Sequence, residues 1–188
     1  FDPTLPVVGF VGRLTRDKGL HVLAESLSLL ADRGDHMQLL VVGGIDDPTG
    51  AHAVEELEST GATVKVTGYR SDPENVYPLM DILCLPSLRE GFANVSLEAA
   101  ASGIPIVGSD ATGVRDGIVD GSTGVTVPAG DPTALAHALH ELALDRDSAR
   151  RMGVAGRERA VQDFSRPVVQ QRYAEALERY VADRFATT

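Results

Sequence analysis

Short runs of β-branched and apolar residues recur along the chain, at 7–11, 39–42, 64–67, 82–85, 105–107 and 124–127. Several of them, such as Leu39-Leu40-Val41-Val42 and Ile82-Leu83-Cys84-Leu85, are apolar throughout instead of alternating. A half-exposed strand alternates; a strand covered on both faces does not, and parallel sheets are built from such strands. Helical patterns fill the intervals at 21–33, 52–59, 74–80, 95–102 and 132–144. The last of these opens on Asp131-Pro132, a cap followed by a residue suited to the first turn. The β-α-β-α order predicts a doubly wound parallel sheet of Rossmann-like α/β class. Beyond residue 144 the strands stop. Two further helices are expected at 148–163 and 167–185, divided at Phe164-Ser165-Arg166-Pro167. We read residues 7–166 as one α/β domain, 1–6 as the remnant of a linker, and 167–188 as a C-terminal helix. That helix carries Val168, Tyr173, Leu177, Tyr180, Val181 and Phe185.

Composition narrows the function. The 188 residues carry a net charge of -10, and no run of Lys or Arg stands out. Nucleic-acid affinity rests on phosphate neutralisation, so such a partner is not expected. An acidic domain still binds phosphate where a few cations and helix ends are placed locally. The single cysteine, Cys84, excludes an intrachain disulfide and a Cys-rich metal site, and its apolar run makes it a buried hydrophobe. No run approaches the ~20 apolar residues of a membrane-spanning helix, and no signal peptide is visible. The cytoplasm is therefore the expected compartment. The five histidines offer no convincing ligand pair.

Ligands of a doubly wound sheet bind beyond the carboxyl ends of its strands, and the unusual residues of this chain stand there. After the first run comes Gly12-Arg13-Leu14-Thr15-Arg16-Asp17-Lys18-Gly19. The glycines permit a tight strand-to-helix turn, and Arg13 and Lys18 flank it, a fork and a movable point charge that suit one diphosphate. The segment is neither a P-loop nor a Gly-x-Gly-x-x-Gly fingerprint. After the fourth run, Pro86-Ser87-Leu88-Arg89 leads into Glu90-Gly91-Phe92-Ala93-Asn94-Val95-Ser96-Leu97-Glu98. A helix beginning near Ala93 or Asn94 would turn its free N–H groups toward the crevice. Glu98 would then lie roughly 6 Å along the axis from Asn94, which suits a ligand with hydroxyls on both sides of a diphosphate. Taken singly, each set also fits solvated surface charges, and that alternative stays open at this stage.

Together, Phe10-Val11-Gly12-Arg13-Leu14, Asp17-Lys18-Gly19, Glu90-Gly91-Phe92, Glu98-Ala99 and Gly103-Ile104-Pro105-Ile106-Val107 resemble the C-terminal domain of retaining GT-B glycosyltransferases of family four. Asp120-Gly121-Ser122-Thr123-Gly124-Val125 and Val127-Pro128-Ala129-Gly130-Asp131-Pro132 extend the resemblance over nearly the whole chain. The resemblance implies a donor-binding half of an enzyme that moves a sugar from a nucleoside diphosphate to a hydroxyl acceptor. It gives Arg13 and Lys18, with Gly12, to the diphosphate, Glu90 to the donor-sugar hydroxyls and Glu98 to the ribose. Arg13, Lys18 and Glu90 are its catalytic candidates. Gly91, Phe92, Ala93, Asn94 and Val95 match the segment whose backbone meets sugar and phosphate, and Gly68-Tyr69-Arg70 matches a loop near the base. Ala93 and Asn94 depart from the residues commonest there, and 110–116 lacks the usual Gly-Gly-x-x-Glu form. That segment resembles bacterial members that build surface polysaccharides, which favours a UDP-linked sugar.

The resemblance further implies metal-independent chemistry without a cofactor, and an N-terminal domain that supplies the acceptor site and receives the C-terminal helix. Peripheral association of the full-length protein with the cytoplasmic face of a membrane is compatible with it. Two other readings are a sugar-nucleotide epimerase of the same architecture and a non-catalytic nucleotide-binding module.

Overall fold

The computed structural model describes residues 1–45 and 48–185, without the side chain of Phe185. Six strands form one sheet in the order β3-β2-β1-β4-β5-β6. They are β1 Val7–Val11, β2 Gln38–Val42, β3 Thr63–Val66, β4 Ile82–Leu85, β5 Ile106–Ser109 and β6 Gly124–Val127. Every pairing is parallel. The helices are α1 Leu20–Asp32, α2 Pro48–Glu58, α3 Asn94–Ala101, α4 Thr112–Arg115, α5 Pro132–Leu144, α6 Arg146–Phe164 and α7 Arg166–Phe185. The doubly wound expectation holds.

The unalternating runs are covered on both sides. Val8, Phe10, Leu39, Val41, Ile82, Cys84 and Val107 join α1, α2 and α5 in one core cluster. Their neighbours Val11, Leu40, Val42, Leu83, Leu85 and Ile106 join residues of α3, α4 and α6 in the other. Successive side chains of a strand point to opposite faces, so each apolar run supplies both clusters. Cys84 is fully buried, and burial pushes its thiol well above the ordinary range.

The observed ends of α5 coincide with the expectation. Asp131 accepts a hydrogen bond from the Ala134 amide at 2.9 Å, with Pro132 in the first turn. Asp145 caps α6 in the same way through Ser148 N at 2.8 Å, which starts that helix earlier than its apolar pattern indicates. The expected helix at 74–80 is corrected: two 3-10 turns, Pro73–Asn75 and Tyr77–Leu79, stand in its place. Pro78 has no N–H to donate and its ring obstructs a preceding turn of α-helix. Helix α4 was not expected, since four residues are too short to show a period. Helix α2 starts at Pro48 rather than near residue 52. The chain breaks between α6 and α7 at Ser165, within the expected segment. Among the described residues no helix is long and apolar enough to cross a membrane.

Candidate active site at the carboxyl edge of the sheet

From β1 the chain runs outward through β2 to β3, then returns to place β4 on the other side of β1. The crevice of a doubly wound sheet opens at this reversal. The loops that leave β1 and β4 meet there. The β1 loop closes in a 3-10 turn, Arg16–Lys18, and enters α1 at Gly19, whose φ is 70°. A Cβ at Gly19 would stand 2.0 Å from the Pro86 carbonyl oxygen. Only glycine combines that left-handed backbone with so close an approach to another chain segment. The Leu88 amide donates to the Asp17 carbonyl at 2.8 Å, adding a second stitch between the loops.

These stitches bring Lys18 to Glu90. The Lys18 ammonium donates to Glu90 Oε2 in an ion pair whose side chains keep only 15% and 17% of their exposure. Arg13, on the same loop, is exposed and makes no ion pair among the described residues. Lys18 and Glu90 thus meet at the switch point. Arg13 stands on the same loop, where a hydrogen bond from Thr15, and after it the charges of Lys18 and Arg13, hold the Asp17 carboxyl below its usual range.

Helix α3 begins at Asn94, as the sequence indicates, and no side chain caps it. The Ala93 amide is taken by the Gly113 carbonyl at 3.1 Å, and the Asn94 amide by the Phe92 carbonyl at 3.1 Å. Among the described residues no acceptor meets the amides of Gly91, Phe92 or Val95. These remain to solvent or to a ligand, at a helix end whose partial positive charge favours an anion. Gly113 is packed onto the same segment: a Cβ there would lie 2.4 Å from the Gly91 carbonyl oxygen and 2.7 Å from that of Glu90.

Glu98 is exposed on α3, and its Oε2 accepts a hydrogen bond from the Tyr77 hydroxyl at 2.6 Å. The Tyr77 ring is buried, with 1% of its surface exposed. Burial, reinforced by the Glu98 carboxylate, pushes the phenol well above its ordinary range, so it stays a donor. Tyr77 escaped the sequence reading, which placed it within a helix. Its only cue was an aromatic beside Pro78, and its partnership with Glu98 arises in the fold.

Phe92 leans on Phe164, with ring centroids 6.4 Å apart, and the Arg159 guanidinium lies 5.0 Å from the centroid of the Phe164 ring. Arg159 also donates to the Gly117 and Asp116 carbonyls at 2.8 and 3.1 Å. The end of α6 therefore braces both α4 and the Phe92 loop, a support absent from any local motif. The β3 loop is less engaged. Tyr69 is 81% exposed, and Arg70 binds Asp72 at 2.7 Å instead of a residue of the crevice. Hydrogen bonds from Arg70 and Asn75 hold the Asp72 carboxyl below its usual range. Gly68 ties this loop to the end of β2 by accepting from the Gly43 amide at 3.0 Å.

The strand order and the loop-built crevice define a Rossmann-like α/β protein, with C-terminal helices, of the kind found in GT-B glycosyltransferases. Residues 5–145 match the family model described as glycosyl transferases group 1, and the chain belongs to that family. It is 34% identical over 164 residues to the capsular polysaccharide biosynthesis glycosyltransferase CapM of Staphylococcus aureus, covering 87% of this chain and 43% of that protein. It is 36% identical over 165 residues to a D-inositol 3-phosphate glycosyltransferase of Corynebacterium diphtheriae, covering 82% and 38%. The chain spans less than half the length of both relatives. Among solved structures, sucrose-phosphate synthase of Thermosynechococcus elongatus superposes with a TM-score of 0.83 at 30% identity, over 97% of this chain and 47% of that one. Anabaena HepE in complex with UDP-glucose superposes with a TM-score of 0.81 at 25% identity, over 93% and 49%.

Proposed function

We propose that the chain binds the nucleoside diphosphate sugar donor of a retaining glycosyltransferase, with UDP as the favoured nucleotide. The observation that carries this reading is the Lys18–Glu90 pair at the β1–β4 switch point, with Arg13 on the same loop and the start of α3 following Glu90. The diphosphate lies between the two cations and the open amides of Gly91, Phe92 and Val95. Glu90 faces the sugar at one end and Glu98 the ribose at the other, with Tyr69 and Arg70 toward the base. Breaking the sugar–phosphate bond leaves negative charge on the departing diphosphate. Fixed donors at that point stabilise the transition state without having to reorganise. Lys18 is released to the phosphate as the ligand displaces it from Glu90, and the freed carboxylate accepts from sugar hydroxyls. The chemistry uses neither metal nor cofactor.

The similarity to CapM and to the UDP-glucose complex of HepE supports a UDP-sugar and a role in bacterial polysaccharide or glycoconjugate synthesis. A hydroxyl acceptor is held by a further, N-terminal domain, against which α7 packs. In the cell the enzyme works in the cytoplasm or at its membrane face. A thermal-shift screen against UDP-, GDP- and ADP-sugars, each beside its free nucleoside, tests the donor reading. At least one diphosphate should raise the melting temperature where its nucleoside does not. Indifference to all of them would overturn the proposal. Product analysis with the N-terminal domain present then separates transfer from epimerisation.

A further inference from the structure

The ring of Tyr77 packs in the core as that of a phenylalanine would, and its hydroxyl makes a further contact with Glu98. Tyr77 lies in the second core cluster with Val76, Met80, Ala99 and Ala100. Its ring supplies apolar area, and the hydroxyl is an additional polar group that must find a partner. It finds one in the side chain of an exposed glutamate, across 21 positions of sequence. An exposed Glu samples several rotamers and gives up that freedom when a ligand fixes it. Here a buried donor has already fixed it. A hollow of about 370 Å³ opens beside the pair, lined by Pro73, Glu74, Tyr77, Glu98, Ala101 and Ser102. The carboxylate therefore stands exposed beside accessible space, while its anchor is almost wholly buried.

We propose that Tyr77 is a positioning residue for nucleotide binding: its hydroxyl occupies Glu98 Oε2 and presents the remaining acceptor sites of the carboxylate to the two ribose hydroxyls. The proposal rests on the donor reading above. A carboxylate has about four lone-pair sites, so one hydrogen bond from Tyr77 leaves capacity for both hydroxyls. A carboxylate only accepts, which matches the two donors of a vicinal diol. Preorganisation of this kind contributes to affinity by removing an ordering cost at the moment of binding. Glu74, which also lines the hollow, adds negative charge that disfavours ionisation of the phenol and maintains the donor.

The test compares UDP with 2′,3′-dideoxy-UDP, by calorimetry, on the wild-type chain and on Tyr77→Phe. The substitution removes one oxygen and keeps the ring. UDP affinity should fall roughly three- to tenfold, the worth of one hydrogen bond, while affinity for the dideoxy analogue stays unchanged. A purely structural role for the hydroxyl would weaken both nucleotides alike. Parallel losses, or none, would therefore overturn the positioning role while leaving the donor reading intact. A wild-type chain that binds UDP no better than its dideoxy analogue would remove the ribose assignment and the positioning role together. A wild-type chain that binds neither nucleotide would remove the donor reading itself. A second measurement needs no substitution. With its four tyrosines carbon-labelled, the chain should show the Tyr77 Cζ resonance shifting on addition of UDP and staying still with the dideoxy analogue. A resonance indifferent to both, in a chain that binds UDP, would contradict the proposal.

Discussion

Lys18 and Glu90 hold each other in the crevice, and this changes what substitutions there should do. Removing either partner of a mostly buried pair leaves the other charge uncompensated. In Lys18→Ala the lone Glu90 carboxylate would repel a diphosphate, in addition to the lost attraction. A charge-assisted phosphate contact is worth about 1.5–3 kcal/mol, so UDP affinity should fall about tenfold or more while uridine affinity is unmoved. The same substitution in a Glu90→Gln background should cost less, because the repelling charge is gone. Calorimetry of the two single variants and the double variant reads this directly, and strict additivity would contradict the coupling. Among the described residues Arg13 makes no ion pair with Glu90, so Arg13→Ala should weaken UDP independently of Glu90. Cys84 gives a simpler expectation. Its thiol is fully buried and held in the protonated form, so a thiol reagent at neutral pH should label it only after denaturation. Labelling of the native chain at the rate of a free thiol would contradict the packing of β4.

The loops that carry these residues are set by neighbouring segments as much as by their own sequence. Gly113 of α4 is the clearest instance, since any side chain there meets the carbonyls of Gly91 and Glu90. Gly113→Ala should displace the Glu90–Gly91 segment and weaken binding of a UDP-sugar more than binding of UDP. Equal affinities for wild type and variant, measured with both ligands, would show that α4 does not position Glu90. How much of this was legible in the sequence depended on the range of the interaction. The strands were legible because burial on both faces demands continuous apolar residues, as in Leu39–Val42 and Ile82–Leu85. The α5 start was legible because a cap is local. At 74–80 the sequence pattern indicates a helix, whereas Pro78 leaves only 3-10 turns there. Four residues of α4 left no period to read. Lys18, Glu90 and Glu98 stood out individually by their place after strands. Their partnerships did not, because Lys18 meets Glu90 only once β4 lies beside β1, and Glu98 meets Tyr77 only once α3 packs against the turn before β4.

Over the whole molecule, the sheet and two core clusters form a platform, and α7 stands apart from it with an apolar stripe in solvent. Tyr173, Leu177, Tyr180 and Val181 are each at least half exposed. Transfer requires donor and acceptor to be oriented together, and the chain covers 43% of CapM and 38% of the corynebacterial relative. This 188-residue chain should therefore bind a nucleotide sugar without transferring it, and steady turnover by the purified chain would overturn the two-part account. The central claim is that one donor spans the carboxyl edge, with its sugar at Glu90 and its ribose at Glu98. Calorimetric titration of UDP and UDP-glucose into Glu90→Gln and Glu98→Gln tests it most directly. Glu98→Gln should weaken both ligands. Glu90→Gln should weaken UDP-glucose yet leave UDP undiminished, because Lys18 is then free for the diphosphate. Loss of UDP binding in Glu90→Gln with full retention in Glu98→Gln would reverse the assignment and contradict the account.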